Sequence, residues 1–142
     1  NESKNDWESS LAHNEFDKKK VKKIKTQKID TITKDQKLDD YSLLIKLDIE
    51  GCELQAIEGA KKTIKKYNPI IIIELSTYIF NKNDRSFDIL KFFLTEFDYS
   101  IYNTKNILTS IEDIVVSINS LDSDHKTIGN YYLICNKNTP NF

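Results

Sequence analysis

The sequence predicts an α/β fold: a largely parallel sheet with helices packed on it. Two short apolar runs, Leu43–Leu47 and Ile70–Leu75, have the length and composition of buried strands. Between them the hydrophobic period becomes helical. The alternation strand, helix, strand, helix, strand then continues to Cys135, the pattern of βαβ units. Right-handed crossovers place the helices against the sheet and align the carboxyl ends of the parallel strands along one edge. Ligands bind at that edge in open α/β sheets.

Each element has its own signal. Residues 1–20 are polar, with Trp7, Leu11 and Phe16 as isolated apolar points, and read as a loop or arm. Val21 to Ile32 alternates loosely among lysines, which predicts an edge strand ending near Ile29. Residues 33–42 form a polar link. Leu43–Leu47 is the first buried strand, with Lys46 inside it, and Gly51 breaks it. From Cys52 a helix carries Leu54, Ile57, Ala60, Ile64 and Tyr67 on one face. Glu53 and Glu58 precede Lys61, Lys62, Lys65 and Lys66, an order that complements the helix dipole. Asn68-Pro69 stops it.

Ile70–Leu75 is the second buried strand, with Glu74 near its carboxyl end. Asp84 or Ser86 caps a helix over Phe87–Phe97, striped by Phe87, Leu90, Leu94 and Phe97. Asp98–Asn103 is a third strand. Ser110–Ser117 is a short helix with Asp113 as its capping-box acid. Tyr131–Cys135 is the last strand.

The 142 residues suit one domain, divided into an N-terminal loop and edge strand (1–35) and an α/β part (36–142). A net charge of −1 gives no field that draws nucleic acid or an anionic membrane. No apolar run approaches membrane-spanning length, and nothing at the N-terminus resembles a signal peptide. Two cysteines are too few for a disulfide framework, so a cytoplasmic location is expected. The chain begins at Asn1 and contains no methionine, which reads as a processed or truncated piece.

Residues 43–76 resemble the FkbM-type methyltransferases, which depend on S-adenosylmethionine. IKLDIEGCELQAIEGA, a helix, then NPIIIIELS follow that family's order. Lys46, Asp48, Glu50, Gly51, Glu53, Gly59, Ala60, Pro69 and Glu74 match in place, with Leu47 where Ile is common. Ser9-Ser10-Leu11 and Lys25–Ile32 resemble upstream family elements more weakly. The resemblance implies a partial Rossmann-like class I methyltransferase sheet and S-adenosylmethionine as cofactor in the intact parent. It also implies that Asp48 and its neighbours face the methyl donor. These enzymes cradle the cofactor on an earlier strand and a glycine-rich turn. This chain has three glycines, Gly51, Gly59 and Gly129, and none forms such a turn. The expectation is a C-terminal half with the N-terminal cofactor-binding strands missing, which does not bind the cofactor tightly.

Methyl transfer needs a placed nucleophile and, for a hydroxyl, a proton acceptor. Asp48, Glu50 and Glu74 are the catalytic candidates, with Asp48 and Glu50 also toward the cofactor. Lys46, Glu74 and Ser76 are candidates for substrate contact. The expected reaction is O-methylation of a hydroxyl acceptor such as a sugar or glycan. Structural readings stand beside these. Glu50 caps the helix after Gly51; Lys46, buried, takes an acid partner; Gly59-Ala60 lets its helix lie close on the sheet.

KKKVKKIK at residues 18–25 lacks arginine and interleaved aromatics, so it reads as a solvated strand face and not a nucleic-acid site. His13 and His125 are isolated, with no cysteine or histidine at ligand spacing, so no zinc site is expected. Cys52 near a helix N-terminus has no nearby histidine, against a nucleophilic role. Two other readings remain open. Asp48, Glu50 and Glu74 form a Mg²⁺ site for hydrolysis or phosphoryl transfer. Or the chain is a non-catalytic α/β interaction module that forms a homo-oligomer, or pairs with a partner, through an exposed sheet edge.

Overall fold

The computed structural model describes residues 25–49, 52–76, 86–119 and 128–138. In chain order these form α1 (Ile29–Thr33), β1 (Leu44–Leu47), α2 (Glu53–Glu58), α3 (Lys61–Tyr67), β2 (Ile70–Ser76), α4 (Ser86–Glu96), β3 (Tyr99–Asn103), α5 (Ile111–Asn119) and β4 (Ile128–Cys135). The four strands make one sheet in the order β1-β2-β4-β3.

The sheet is mixed, not mostly parallel. β1 and β2 run parallel, whereas β4 lies antiparallel between β2 and β3. The apolar runs announced buried strands but carried no direction for β4.

One face of the sheet is the core. Leu47, Ile71, Ile73, Leu75, Tyr99, Ile101, Tyr131, Leu133 and Cys135 are all buried on it. Leu54, Ile57 and Ile64 from α2 and α3, Leu90 and Phe93 from α4, and Ile114 from α5 join the same cluster. The Phe93 ring centre lies 5.1 Å from that of Tyr99 and 5.3 Å from that of Phe97, within the range of favourable aromatic pairs. The Tyr99 hydroxyl donates to the Pro69 carbonyl at 2.7 Å, and burial raises its pKa well above the ordinary phenol value.

The other face is open. Leu44, Lys46 and Ile70 are exposed on it, and Ile72, Glu74, Tyr102, Tyr132 and Ile134 are half-buried. The expectation that Leu43–Leu47 is buried on both faces therefore fails: only Leu47 of β1 is buried. Among the described residues β1 is an edge strand, with β2 as its single neighbour. Ile70–Leu75 likewise buries one face, through Ile71, Ile73 and Leu75.

Two further expectations change. Residues 21–24 lie outside the described residues, residues 25–28 form no strand, and Ile29–Thr33 is helical. The reason is tertiary. Asp30 reaches across to the start of α3, where its carboxylate accepts from the amides of Lys62 (3.1 Å) and Thr63 (2.8 Å) and from the Thr63 hydroxyl (2.8 Å). Its own amide donates to the Gly59 carbonyl at 3.0 Å. The single helix expected from Cys52 is two helices, broken at Gly59-Ala60. A Cβ on Gly59 would meet nothing nearer than 3.5 Å. That glycine marks the break and not a close approach to the sheet.

Other expectations hold. Asn68 ends α3 in the left-handed region at φ 45°, which asparagine tolerates, and Pro69 follows. The capping box of α5 is formed. Ser110 Oγ accepts from the Asp113 amide at 2.9 Å, and Asp113 Oδ2 accepts from the Ser110 amide at 3.2 Å. α4 begins at Ser86, and Asp84, the other candidate cap, lies outside the described residues.

Candidate functional site

Parallel pairing brings the candidate acids together. Leu47 lies opposite Ile73, so one further step of the same register sets Asp48 opposite Glu74. Both project to the open face with Lys46, because side chains two residues apart share a face. The three therefore converge at the carboxyl ends of adjacent parallel strands, the edge where this architecture binds ligands.

Lys46 Nζ donates to Asp48 Oδ2 at 2.6 Å. Their side chains are 59% and 42% exposed. Lys46 thus has the acid partner expected of it, but it is not buried, because β1 is an edge strand. The hydrogen bond and charge of Lys46 hold the Asp48 carboxyl below the usual carboxylate range, against the opposing effect of burial. A hydrogen bond with Glu74 acts in the same direction. Reciprocally, Asp48 raises the Lys46 ammonium, first by its hydrogen bond and then by its charge, and the Glu74 charge adds to this. At neutral pH the cluster holds an ionised Asp48 and a charged Lys46.

Glu50 and Gly51 lie outside the described residues, so the cap expected from Glu50 does too. Ser76 ends β2 at the same edge. Glu53, expected only as a charge on the first helical turn, is instead buried. Its Oε1 accepts from the Ile49 amide at 3.0 Å, tying the chain leaving β1 to the start of α2. A carboxylate six residues after the end of β1, at the first turn of the next helix, is the sequence signal for this role. Cys52 carries a raised pKa, from burial and then from the Glu53 charge. It is a poor nucleophile, in line with the sequence reading.

A groove of about 670 Å³ runs between residues 26–29 and α2, with Ile49, Cys52 and Gln55 in its wall. Its lining is mixed: Lys28 and Glu58 are charged, Gln27 and Gln55 carry amides, and Ile29 and Ala56 are apolar. Neither glycine among the described residues builds a cofactor cradle. Gly59 ends α2 with ordinary helical geometry. Gly129 lies within β4 under the Tyr131 ring, where a Cβ would approach Cε2 to 2.8 Å. The described residues do not by themselves fit S-adenosylmethionine.

Among the described residues no three acids, histidines or cysteines are grouped to hold a metal ion, and no helix is long and apolar enough to cross a membrane. No curated protein and no solved structure matches the chain. Residues 1–101 match the family described as the methyltransferase FkbM domain. That stretch contains β1, β2 and the acids at their ends, and the chain belongs to the FkbM methyltransferase domain family.

Proposed function

We propose that this chain is the acceptor-binding part of an S-adenosylmethionine-dependent methyltransferase that O-methylates a hydroxyl of a sugar or glycan. The observation that carries this reading is the convergence of Lys46, Asp48 and Glu74 at the carboxyl ends of β1 and β2. When bound, the cofactor supplies an activated methyl group. The chain's own residues orient the acceptor and manage its proton. Asp48, ionised at neutral pH, accepts a hydrogen bond from the reacting hydroxyl and takes its proton as the new bond forms. Lys46 donates to a neighbouring acceptor oxygen and keeps Asp48 ionised. Glu74 contacts an adjacent hydroxyl, and Ser76 and Glu50 keep the substrate and cofactor assignments that the family resemblance implies.

A Mg²⁺-dependent hydrolase would need Asp48 and Glu74 to share a cation with a third ligand. Lys46 already occupies the near oxygen of Asp48, so the methyltransferase reading is preferred. Two titrations test it. Adding neutral sugars to the chain should perturb the NMR resonances of Lys46, Asp48 and Glu74, and Asp48→Asn should weaken that response. In the intact enzyme Asp48→Asn should lower kcat about 100-fold, within the range for loss of a general base. Full kcat in a folded Asp48→Asn enzyme would remove Asp48 from the chemistry. Thermal stabilisation by Mg²⁺, with no response to sugars, would favour the hydrolase.

A further inference from the structure

We propose that Glu53 is a positioning residue for the acceptor site: from its buried place at the start of α2 it fixes the peptide that follows Asp48, and so aims the Asp48 carboxylate at the reacting hydroxyl. The consequence for catalysis rests on the reading of Asp48 as proton acceptor; the anchoring of Asp48 does not. Glu53 is 1% exposed, whereas the Asp48 side chain is 42% exposed. Glu53 is thus closed off from substrate and acts through Asp48.

Asp48 is held from both sides. β1 ends at Leu47, whose pairing with Ile73 fixes the chain entering Asp48. Beyond it Ile49 lies in a bend, outside the strand, and the Ile49 amide donates to Glu53 Oε1 at 3.0 Å. That amide belongs to the planar peptide unit joining Asp48 to Ile49. Holding it sets Asp48 ψ, the backbone angle on the side away from β1. With both flanking peptides fixed, the Asp48 Cα–Cβ bond has one direction, beside Lys46, whose Nζ lies 2.6 Å from Asp48 Oδ2. The anchor is itself rigid, because Leu54 and Ile57 of α2 are buried in the core. Its reach also separates it from a helix cap. In a capping box the helical acid returns to the N-cap amide. Here the N-cap is Cys52, and Glu53 reaches past it to Ile49, in the chain leaving β1.

NMR titration of the Asp48 carboxyl in the full chain tests this, with circular dichroism reporting the fold. In the wild type the bond from Lys46 holds that carboxyl below the usual range. In Glu53→Ala the peptide after Asp48 is released and the contact with Lys46 loosens, so the Asp48 titration should move up toward the ordinary carboxylate value. Glu53→Gln keeps an oxygen for the Ile49 amide and should titrate closer to wild type than Glu53→Ala does. If Glu53→Ala fails to fold, Glu53→Asp, one methylene shorter, takes its place and should show the same rise. A folded Glu53→Ala or Glu53→Asp chain in which Asp48 titrates as in the wild type overturns the proposal. So does a Glu53→Gln chain that lies no closer to wild type than Glu53→Ala. In the intact enzyme Glu53→Ala should lower kcat about 10–100-fold, the scale of a misplaced reacting group. It should add nothing to the loss in Asp48→Asn, because it acts through that side chain; additive losses overturn the proposal. Should Asp48→Asn itself keep full kcat, the proton-acceptor reading fails, and the titration still decides whether Glu53 positions Asp48.

Discussion

Asp30 carries a role out of proportion to its setting in a lysine-rich segment. Its carboxylate accepts from two amides and a hydroxyl at the start of α3, and Thr33 Oγ1 lies 2.6 Å from Thr63 Oγ1 beside it. Asp30→Ala should cost about 1–2 kcal/mol, the scale of a lost helix cap, measured by urea unfolding. Burial acts to raise the Asp30 pKa, but bonds from Thr63 and Lys62 and the Lys62 charge prevail and lower it. A carboxyl depressed in the folded state stabilises fully above its unfolded pKa of about 3.9 and loses that contribution as pH falls through the folded value. Acidification below about pH 4 should therefore lower Tm less in Asp30→Asn than in the wild type. Glu53 is the second such residue. Its buried carboxylate holds the Ile49 amide, so Glu53→Ala should cost about 1–3 kcal/mol, as for a buried donor left without its acceptor.

Element boundaries show where local signals suffice. The capping box at Ser110 and Asp113, the stop at Asn68-Pro69 and the apolar stripe of α4 were legible because each depends on neighbours in the chain. The break between α2 and α3 was not, because the helical period of Leu54, Ile57, Ala60 and Ile64 continues through it. Gly59 gives a direct test. Its backbone is in the ordinary helical region and a Cβ has room. Gly59→Ala should be neutral or stabilise by up to about 1 kcal/mol, by restricting the unfolded chain. A loss of 2 kcal/mol or more, on the order of a strained substitution, would restore the close-approach reading. The lysine-rich stretch ending in α1 misled in the other direction. Its loose alternation suits an edge strand, yet the bonds of Asp30 to the start of α3 hold Ile29–Thr33 as a helix.

For the whole molecule, membership of the FkbM methyltransferase domain family sets the frame. Calorimetry on the 142-residue chain should find no micromolar binding of S-adenosylmethionine, since neither described glycine opens a ligand-facing turn. A micromolar Kd would show that a cradle exists elsewhere in the chain. The residue types and spacings of Lys46, Asp48, Glu50 and Glu74 were readable from the sequence. So were the α/β alternation and the placing of the acids at strand ends, because hydrophobic period and turn residues are local quantities. Tertiary structure alone decided that β1 lies at an edge and that β4 runs against its neighbours. It also decided that Lys46 is exposed beside Asp48, and that Asp30 and Glu53 serve as struts. Each of these depends on which segments become neighbours, and no periodicity within a single segment records that.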